Sequence, residues 1–228
     1  YARAIADKQQ TKVVAVTINV PQPEVLAAYG VNKVLSITND QLQHISANTL
    51  NHLLQQAVAK ESSTIVVFSA SSQAKEVAPL LANSLQAGYV SNIISLPTED
   101  FIVKSNVFSN KAISLSQINT PIKILGLAPN AFKTEEKNVE LTVEPFVPTL
   151  PDSDWGIQVI TTERTSGKVS LDDATIVVSG GRGLKAAENW QIVEGLAEVL
   201  GAATACSKPV ADMGWRPHSE HVGQTGKP

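Results

Sequence analysis

Hydrophobic and polar positions come in blocks along the first ninety residues, and the period switches from block to block. TKVVAVTI (11–18) is apolar or β-branched at nearly every position, as expected of a strand buried on both faces of a parallel sheet. PEVLAAYG (23–30) predicts a short helix closing on Gly30, and KVLSIT (33–38) the next strand. Between Ser46 and Lys60, Leu50, Leu53, Leu54, Ala57 and Val58 recur at helical spacing and mark one apolar face. STIVVFSA (63–70) reads as a third strand. Val77, Leu80, Leu81 and Leu85 then mark a second amphipathic helix, with Gly88 as its expected stop. Strands and helices alternating over short connections predict a parallel sheet covered on both faces.

The pattern changes after Gly88. YVSNIISL, FIVKSN, KAISLS, IKILGLA and VELTVEPF are strand-like with short breaks, some carrying Asn and Pro, and suit antiparallel strands added to the parallel sheet. EPFVPTLPDSDW (144–155) carries three prolines and is expected to run extended. GIQVITTERT (156–165) reads as one more strand of the first domain. TSGKVSLDD (165–173) is polar and turn-rich, so the boundary is placed there, giving domains 1–165 and 166–228.

A second strand–helix pattern opens at Ala174. ATIVVSG is a buried strand and GGRGLK a glycine-rich turn. A helix is expected from about Ala186 to Leu200, with Val193, Leu196, Ala197 and Leu200 on one face and Gly201 as its stop; GAATAC is a second strand. Only about two such units fit before the chain ends, so the fold class is α/β: an N-terminal, mostly parallel sheet domain with added antiparallel strands, then an incomplete doubly wound domain.

Composition narrows the function. With 43% hydrophobic and 17% charged residues in 228, the chain is expected to fold into globular cores. A net charge of -3 argues against a nucleic-acid binder, which needs a basic face. No apolar run reaches the length needed to cross a bilayer. The single cysteine, Cys206, excludes an internal disulfide and a cysteine metal cluster and suits a reducing, intracellular location. Tyr1 is not Met, YARAIA reads as the back half of a helix, and the C-terminus stops just past a glycine-flanked turn. The expectation is a fragment at both ends.

Two segments carry candidate chemistry. SGGRGLKAAENW (179–190) leads from a strand through glycines into a helix start, where free backbone N–H groups and the helix dipole favour a phosphate. Gly181, Gly183 and Ala186 satisfy G-x-G-x-x-G/A, a weak signal alone; a tight turn with Arg182 in solvent is an equal reading. In ACSKPVADMGWRPHSEHVGQTGK (205–227), Ser207 and Lys208 follow the second strand at its carboxyl end, where open α/β sheets bind ligands. Gly223, Gln224, Thr225 and Gly226 form a polar turn.

The order and spacing of VVSGGRGLK, the helix, the Cys-Ser-Lys turn and VGQTGK resemble the FAD domain of electron-transfer flavoprotein alpha subunits, over about 174–228. Residues 1–165 match that family in pattern and length more than in motif, implying an adenine nucleotide alpha hydrolase-like domain. The resemblance implies an electron carrier and not an enzyme, with FAD contacted by Arg182, Ser207, Lys208, Val222, Gly223, Gln224 and Thr225, and with Thr225 hydrogen-bonded to flavin N5. Lys208 stands where the family usually has arginine; charge is kept and the planar fork lost. The family's later S-G-A-I-Q-H loop and N-x-D-P segment are absent, as is the first strand of domain one, so this stretch is expected to bind FAD poorly. The resemblance also implies a beta subunit as partner and electron donors such as acyl-CoA dehydrogenases in fatty acid β-oxidation. It further implies a membrane quinone oxidoreductase as acceptor, no membrane insertion, and a cytoplasmic location.

Two other classes stay open. An NAD-dependent dehydrogenase would need an acidic residue near the end of the second strand; Glu198 is the nearest and falls within the helix. A non-redox nucleotide-binding or interaction module is the other. Weaker candidates read blandly. His218 and His221 sit in a polar loop, His44 and His52 are solvated, and Cys206 is a buried small residue. Asp172 and Asp173 mark a turn, and Trp190 and Trp215 serve packing.

Overall fold

A computed structural model describes residues 1–108, 110–155, 159–161, 171 and 174–223. The chain divides into two compact units, Tyr1–Ile160 and Thr161–Pro228. Among the described residues no helix is long and apolar enough to cross a membrane.

The first unit opens with α1 (Ala2–Gln9), so YARAIA lies in a helix. β1 (Val14–Ile18) and β2 (Lys33–Ile37) follow, joined through a 3-10 segment, Pro23–Ala28. α2 (Ala47–Glu61) and α3 (Ser72–Leu85) each begin where a serine hydroxyl, Ser46 or Ser71, accepts from the N–H three residues on. β3 (Ile65–Phe68) lies between those helices. β4 (Gly88–Ile93), β5 (Ile102–Val107), β6 (Ala112–Gln117), β7 (Lys123–Leu127) and β8 (Thr142–Pro145) complete the unit.

The strands form two sheets, ordered β1-β2-β8 and β3-β7-β4-β5-β6. Antiparallel pairing is confined to β4–β5 and β5–β6. Of the segments expected as antiparallel additions, IKILGLA supplies β7, which pairs parallel with β3 and β4, and VELTVEPF supplies β8, which pairs parallel with β2, while YVSNIISL supplies β4, parallel to β7 and antiparallel to β5. Interior strands of the two sheets hold the core: Val34 and Leu35 of β2 and Ile124 and Leu125 of β7 are each 0% exposed.

Gly88 does not stop a helix. α3 ends at Leu85 with Gln86 in the left-handed conformation, and Gly88 opens β4. An ideal Cβ there would lie 2.6 Å from Ile118 Cγ2 and 2.7 Å from Thr120 Oγ1, so close approach accounts for the glycine. Leu80, expected on the apolar face of α3, is exposed. Of the expected strand 156–165, residues 156–158 and 162–165 lie outside the described residues, and 159–161 form no strand. Asp172 and Asp173 also lie outside them.

In the second unit β9 (Val177–Gly180) pairs parallel with β10 (Ala203–Cys206), from Val177↔Ala203 to Gly180↔Cys206. α4 (Gln191–Leu200) connects them and ends with Gly201 at φ 59°. Val193 and Ala197 are buried against the strands, whereas Leu196 and Leu200, expected on the same face, are exposed with Ile192 and Val199. α5 (Lys208–Asp212) follows β10 directly.

Candidate functional site

β9 and β10 end level with each other, and backbone bonds pin the chain where it leaves them. Ser207 N–H donates to Gly180 O at 3.1 Å, and Val222 N–H donates to Cys206 O at 3.0 Å. Cys206 and His221 form an isolated parallel bridge. Three chain corners, at Gly181, Ser207 and Val222, therefore stand in a row across the carboxyl ends of the sheet, the position where open α/β sheets receive ligands.

Glycines set the first corner. An ideal Cβ on Gly180 would lie 2.8 Å from two ring carbons of Trp190 and 2.9 Å from Leu184 Cδ1, so glycine lets the indole close under the strand end. On Gly181 the nearest atom would be Ser207 Oγ at 3.7 Å, and Gly183 faces open space. The turn does not run straight into a helix, as the motif implied. It makes two 3-10 turns, Arg182–Leu184 and Ala187–Trp190, before α4 starts at Gln191. The interruption has a local cause: Lys185 takes φ 69°, Leu184 N–H bonds back to Gly181 O, and Asn189 Nδ2 donates to Leu184 O at 2.7 Å. Arg182 is exposed and forms no ion pair among the described residues.

The second corner differs from the expected plain turn. Ser207 is the N-cap of α5 with Pro209 inside the first turn, yet its side chain makes no capping bond. Lys208 is exposed. Cys206 is fully buried, and burial first, then the nearby Glu220 carboxylate, push its thiol above the ordinary range, so it is a packing residue and a poor nucleophile. β10 thus ends in a hydroxyl and a cation, not a carboxylate, and Glu198 sits exposed within α4, away from where a ribose-binding acid belongs.

The third corner begins with Val222, half-buried, and Gly223, whose φ of 115° only glycine adopts freely. Gln224 and Thr225 lie outside the described residues. Among the described residues no cluster of metal-ligating side chains occurs, and His218 and His221 lie in and just after a short 3-10 turn.

Sequence reasoning missed Arg216. It sits at the hub of the return path from α5, paired with Glu220 and with Glu194 and lying 5.4 Å from the Trp190 ring centroid. Glu220 first, then Glu194, hold its guanidinium above the ordinary arginine range. The WRP run and the i,i+4 spacing of Arg216 and Glu220 are the signal that was available. It missed the first unit's His52 as well: its Nδ1 lies 2.9 Å from Asp154 Oδ2, and the Asp154 side chain is 3% exposed. His52 is not simply solvated.

Comparison with known proteins bears on both units. The family model described as "Electron transfer flavoprotein domain" matches residues 1–151, and that described as "Electron transfer flavoprotein FAD-binding domain" matches 170–228. The "Electron transfer flavoprotein subunit alpha" of Bacillus subtilis (strain 168) is 30% identical over 206 residues, covering 89% of this chain and 63% of that protein. The protein of the same name from Megasphaera elsdenii is 28% identical, covering 99% and 71%. The mitochondrial one of Oryza sativa subsp. indica is 29% identical, covering 86% and 57%. The chain thus spans between 57% and 71% of the length of these relatives.

Proposed function

Since the chain belongs to the electron transfer flavoprotein alpha-subunit family, we propose that residues 166–228 open the FAD domain of an electron carrier, with Arg182, Ser207, Lys208, Val222, Gly223, Gln224 and Thr225 as its cofactor contacts. The observation that carries this reading is the row of strand-end corners, above all the glycine turn beside Ser207, whose Oγ is the nearest atom, at 3.7 Å, to where a Cβ on Gly181 would stand. The residues fit a nucleotide. Gly183 leaves open space beside the backbone, Ser207 keeps its hydroxyl clear of a cap, and Arg182 and Lys208 supply positive charge at the same strand ends. Bound FAD would supply reversible electron transfer.

The chain's own residues would then bind and tune. Backbone at Gly181–Gly183 admits the ligand closely, Arg182 and Lys208 offset its negative charge, and the Arg216–Glu220 pair holds the approach to the Val222–Gly223 bend. The first unit serves as scaffold and as a docking face for a beta subunit. In the whole protein, electrons arrive from dehydrogenases such as those acting on acyl-CoA and leave to a membrane quinone oxidoreductase, in the cytoplasm.

The test is to express the full reading frame with its beta partner and measure flavin absorbance after gel filtration. One FAD per heterodimer is expected, falling in Arg182→Ala and Ser207→Ala variants. A colourless heterodimer would overturn the reading.

A further inference from the structure

Two of the three strand-end corners meet in one side chain that belongs to neither. Arg216 lies past α5, in the segment that returns from Asp212 to the Val222–Gly223 bend. Its guanidinium reaches in three directions. Nε and Nη2 donate to the two oxygens of Glu220, at 2.8 and 2.6 Å. Nη1 donates to Glu194 of α4 at 3.0 Å, and the central carbon lies 5.4 Å from the Trp190 ring centroid.

On the Trp190 side the effect passes to the glycine turn. Trp190 is buried, packs in one cluster with Leu184, and takes up the space that a Cβ on Gly180 would need. Leu184 belongs to the turn itself, and its N–H donates to Gly181 O. On the Glu220 side the effect passes to the bend. Glu220 N–H donates to Pro217 O within the 3-10 turn His218–Glu220, and two residues on Val222 N–H donates to Cys206 O. The Glu220 carboxylate also accepts a long bond, 3.4 Å, from Thr204 Oγ1 of β10. The approach to the bend is therefore registered against β10 by a side chain as well as by backbone.

These contacts are unequal. The Glu194 side chain is 44% exposed, and a pair that open to water contributes little. Arg216 and Glu220 are 16% and 15% exposed, and a two-bond fork fixes direction as well as distance. Stability alone does not require such a fork, because apolar side chains of the same size often do as well as a buried ion pair. What the fork adds is geometry: a fixed angle and separation between the floor of the glycine turn and the segment that enters the bend.

Resting on the reading of these corners as cofactor contacts, we propose that Arg216 is a positioning residue. It sets the glycine turn and the Val222–Gly223 bend in register with each other, through Trp190 and Glu220, without itself touching the cofactor. Cofactor affinity and flavin potential then depend on a side chain outside the contact set.

The test uses the full-length protein co-expressed with the proposed beta subunit, beside four variants. These are Arg216→Lys, Glu220→Gln, the apolar pair Arg216→Met with Glu220→Met, and Ala197→Gly. The last weakens the same unit through α4, away from the corners. Amide hydrogen exchange is read on protein stripped of FAD, and FAD affinity and midpoint potential after reloading. The apolar pair is expected to keep the parent's melting midpoint. It should nonetheless speed exchange at both 182–186 and 220–222 and weaken FAD binding at least about tenfold. Its potential should move toward that of free FAD. Arg216→Lys and Glu220→Gln should fall between the apolar pair and the parent. Ala197→Gly should lower the melting midpoint and leave affinity and potential as in the parent. Exchange that changes at one corner alone, or affinity that follows the melting midpoint across all variants, would overturn the proposal. So would parent-like exchange and affinity in the apolar pair. A parent that binds no FAD sinks the cofactor reading instead, and exchange at the two corners then decides the coupling by itself.

Discussion

Arg216 grips the Glu220 carboxylate with two hydrogen bonds, 2.8 Å from Nε and 2.6 Å from Nη2, while its guanidinium lies over the Trp190 ring. Both side chains of the pair are about 15% exposed, so the charges are largely desolvated and depend on each other. Trp190 in turn is the residue that requires Gly180 at the end of β9. One arginine thus ties the underside of the glycine turn to the segment that delivers Val222 and Gly223.

Arg216→Lys keeps the charge but loses both the fork and the stacked plane. It is expected to lower the stability of the second unit by roughly 1–3 kcal/mol, since it leaves Glu220 imperfectly paired. Urea unfolding followed by tryptophan fluorescence measures this. Stability equal to the parent would show that the grip is dispensable.

The glycines of the turn separate packing from access. Gly180→Ala pushes a methyl to 2.8 Å from the indole and should cost about 1–3 kcal/mol. Gly183→Ala meets no atom within 4 Å and should change stability by no more than about 0.5 kcal/mol. In the full-length protein co-expressed with the proposed beta subunit, the same Gly183→Ala is expected to weaken FAD binding, because the added methyl occupies space a ligand would use. Thermal melts and FAD titration separate the two effects.

Much of this was legible in the residues and some was not, for physical reasons. A buried parallel strand announced itself where a strand covered on both faces is largely apolar, as KVLSI is, whereas KILGL, expected as an antiparallel addition, pairs parallel with β3 and β4. The strand-end positions of Arg182, Ser207 and Lys208 followed from glycine and chain order. Partner choice did not. YVSNIISL reads the same whichever way its neighbour runs, so its parallel pairing with β7 was hidden. Leu196 and Leu200 satisfy helical periodicity on α4, but periodicity names a face and not what covers it. His52 and Asp154 are 102 positions apart, and nothing local in either pointed to the other.

The His52–Asp154 pair carries its own expectation. His52 Nδ1 lies within 3.0 Å of both Asp154 oxygens, and the carboxylate is almost wholly buried. His52→Ala strands that carboxylate and should cost about 2–4 kcal/mol. Asp154→Ala added to it should recover part of the loss. A double-mutant cycle by thermal denaturation reads the coupling; additive losses would mean that the contact is incidental.

An acid-sensitive network joins β2, α2 and β8. Glu144 receives Lys33 at 2.7 Å and Lys60 at 2.8 Å, and those bonds, Lys33 first, hold its carboxyl at about 2 against an ordinary 4.5. A depressed folded value means that the stabilisation is complete above pH 4.5 and is lost as pH falls through about 2. Glu144→Gln should therefore lower stability at neutral pH and flatten its fall between pH 4.5 and 2. Added salt should shrink the difference, because the pair faces solvent. Melting midpoints across pH, in low and high salt, check both.

Lys208 offers the sharpest test of the tuning role. It stands exposed at the first position of α5, next to Ser207, whose Oγ would lie 3.7 Å from a Cβ on Gly181. A lysine ammonium is a compact charge that contributes through distance alone, whereas arginine adds a planar set of donors able to bond two acceptors at once. If this corner faces the cofactor, Lys208→Arg should favour the more negative, reduced form by about one extra charge-assisted bond. That bond is worth ~1 kcal/mol and corresponds to a rise of order 20 mV for a two-electron couple. Lys208→Gln, with the charge removed, should move the potential down. Potentiometry on the full-length protein with the proposed beta subunit distinguishes the cases. Equal potentials in all three proteins would show that the side chain points away from the flavin and that charge at this corner does not tune it.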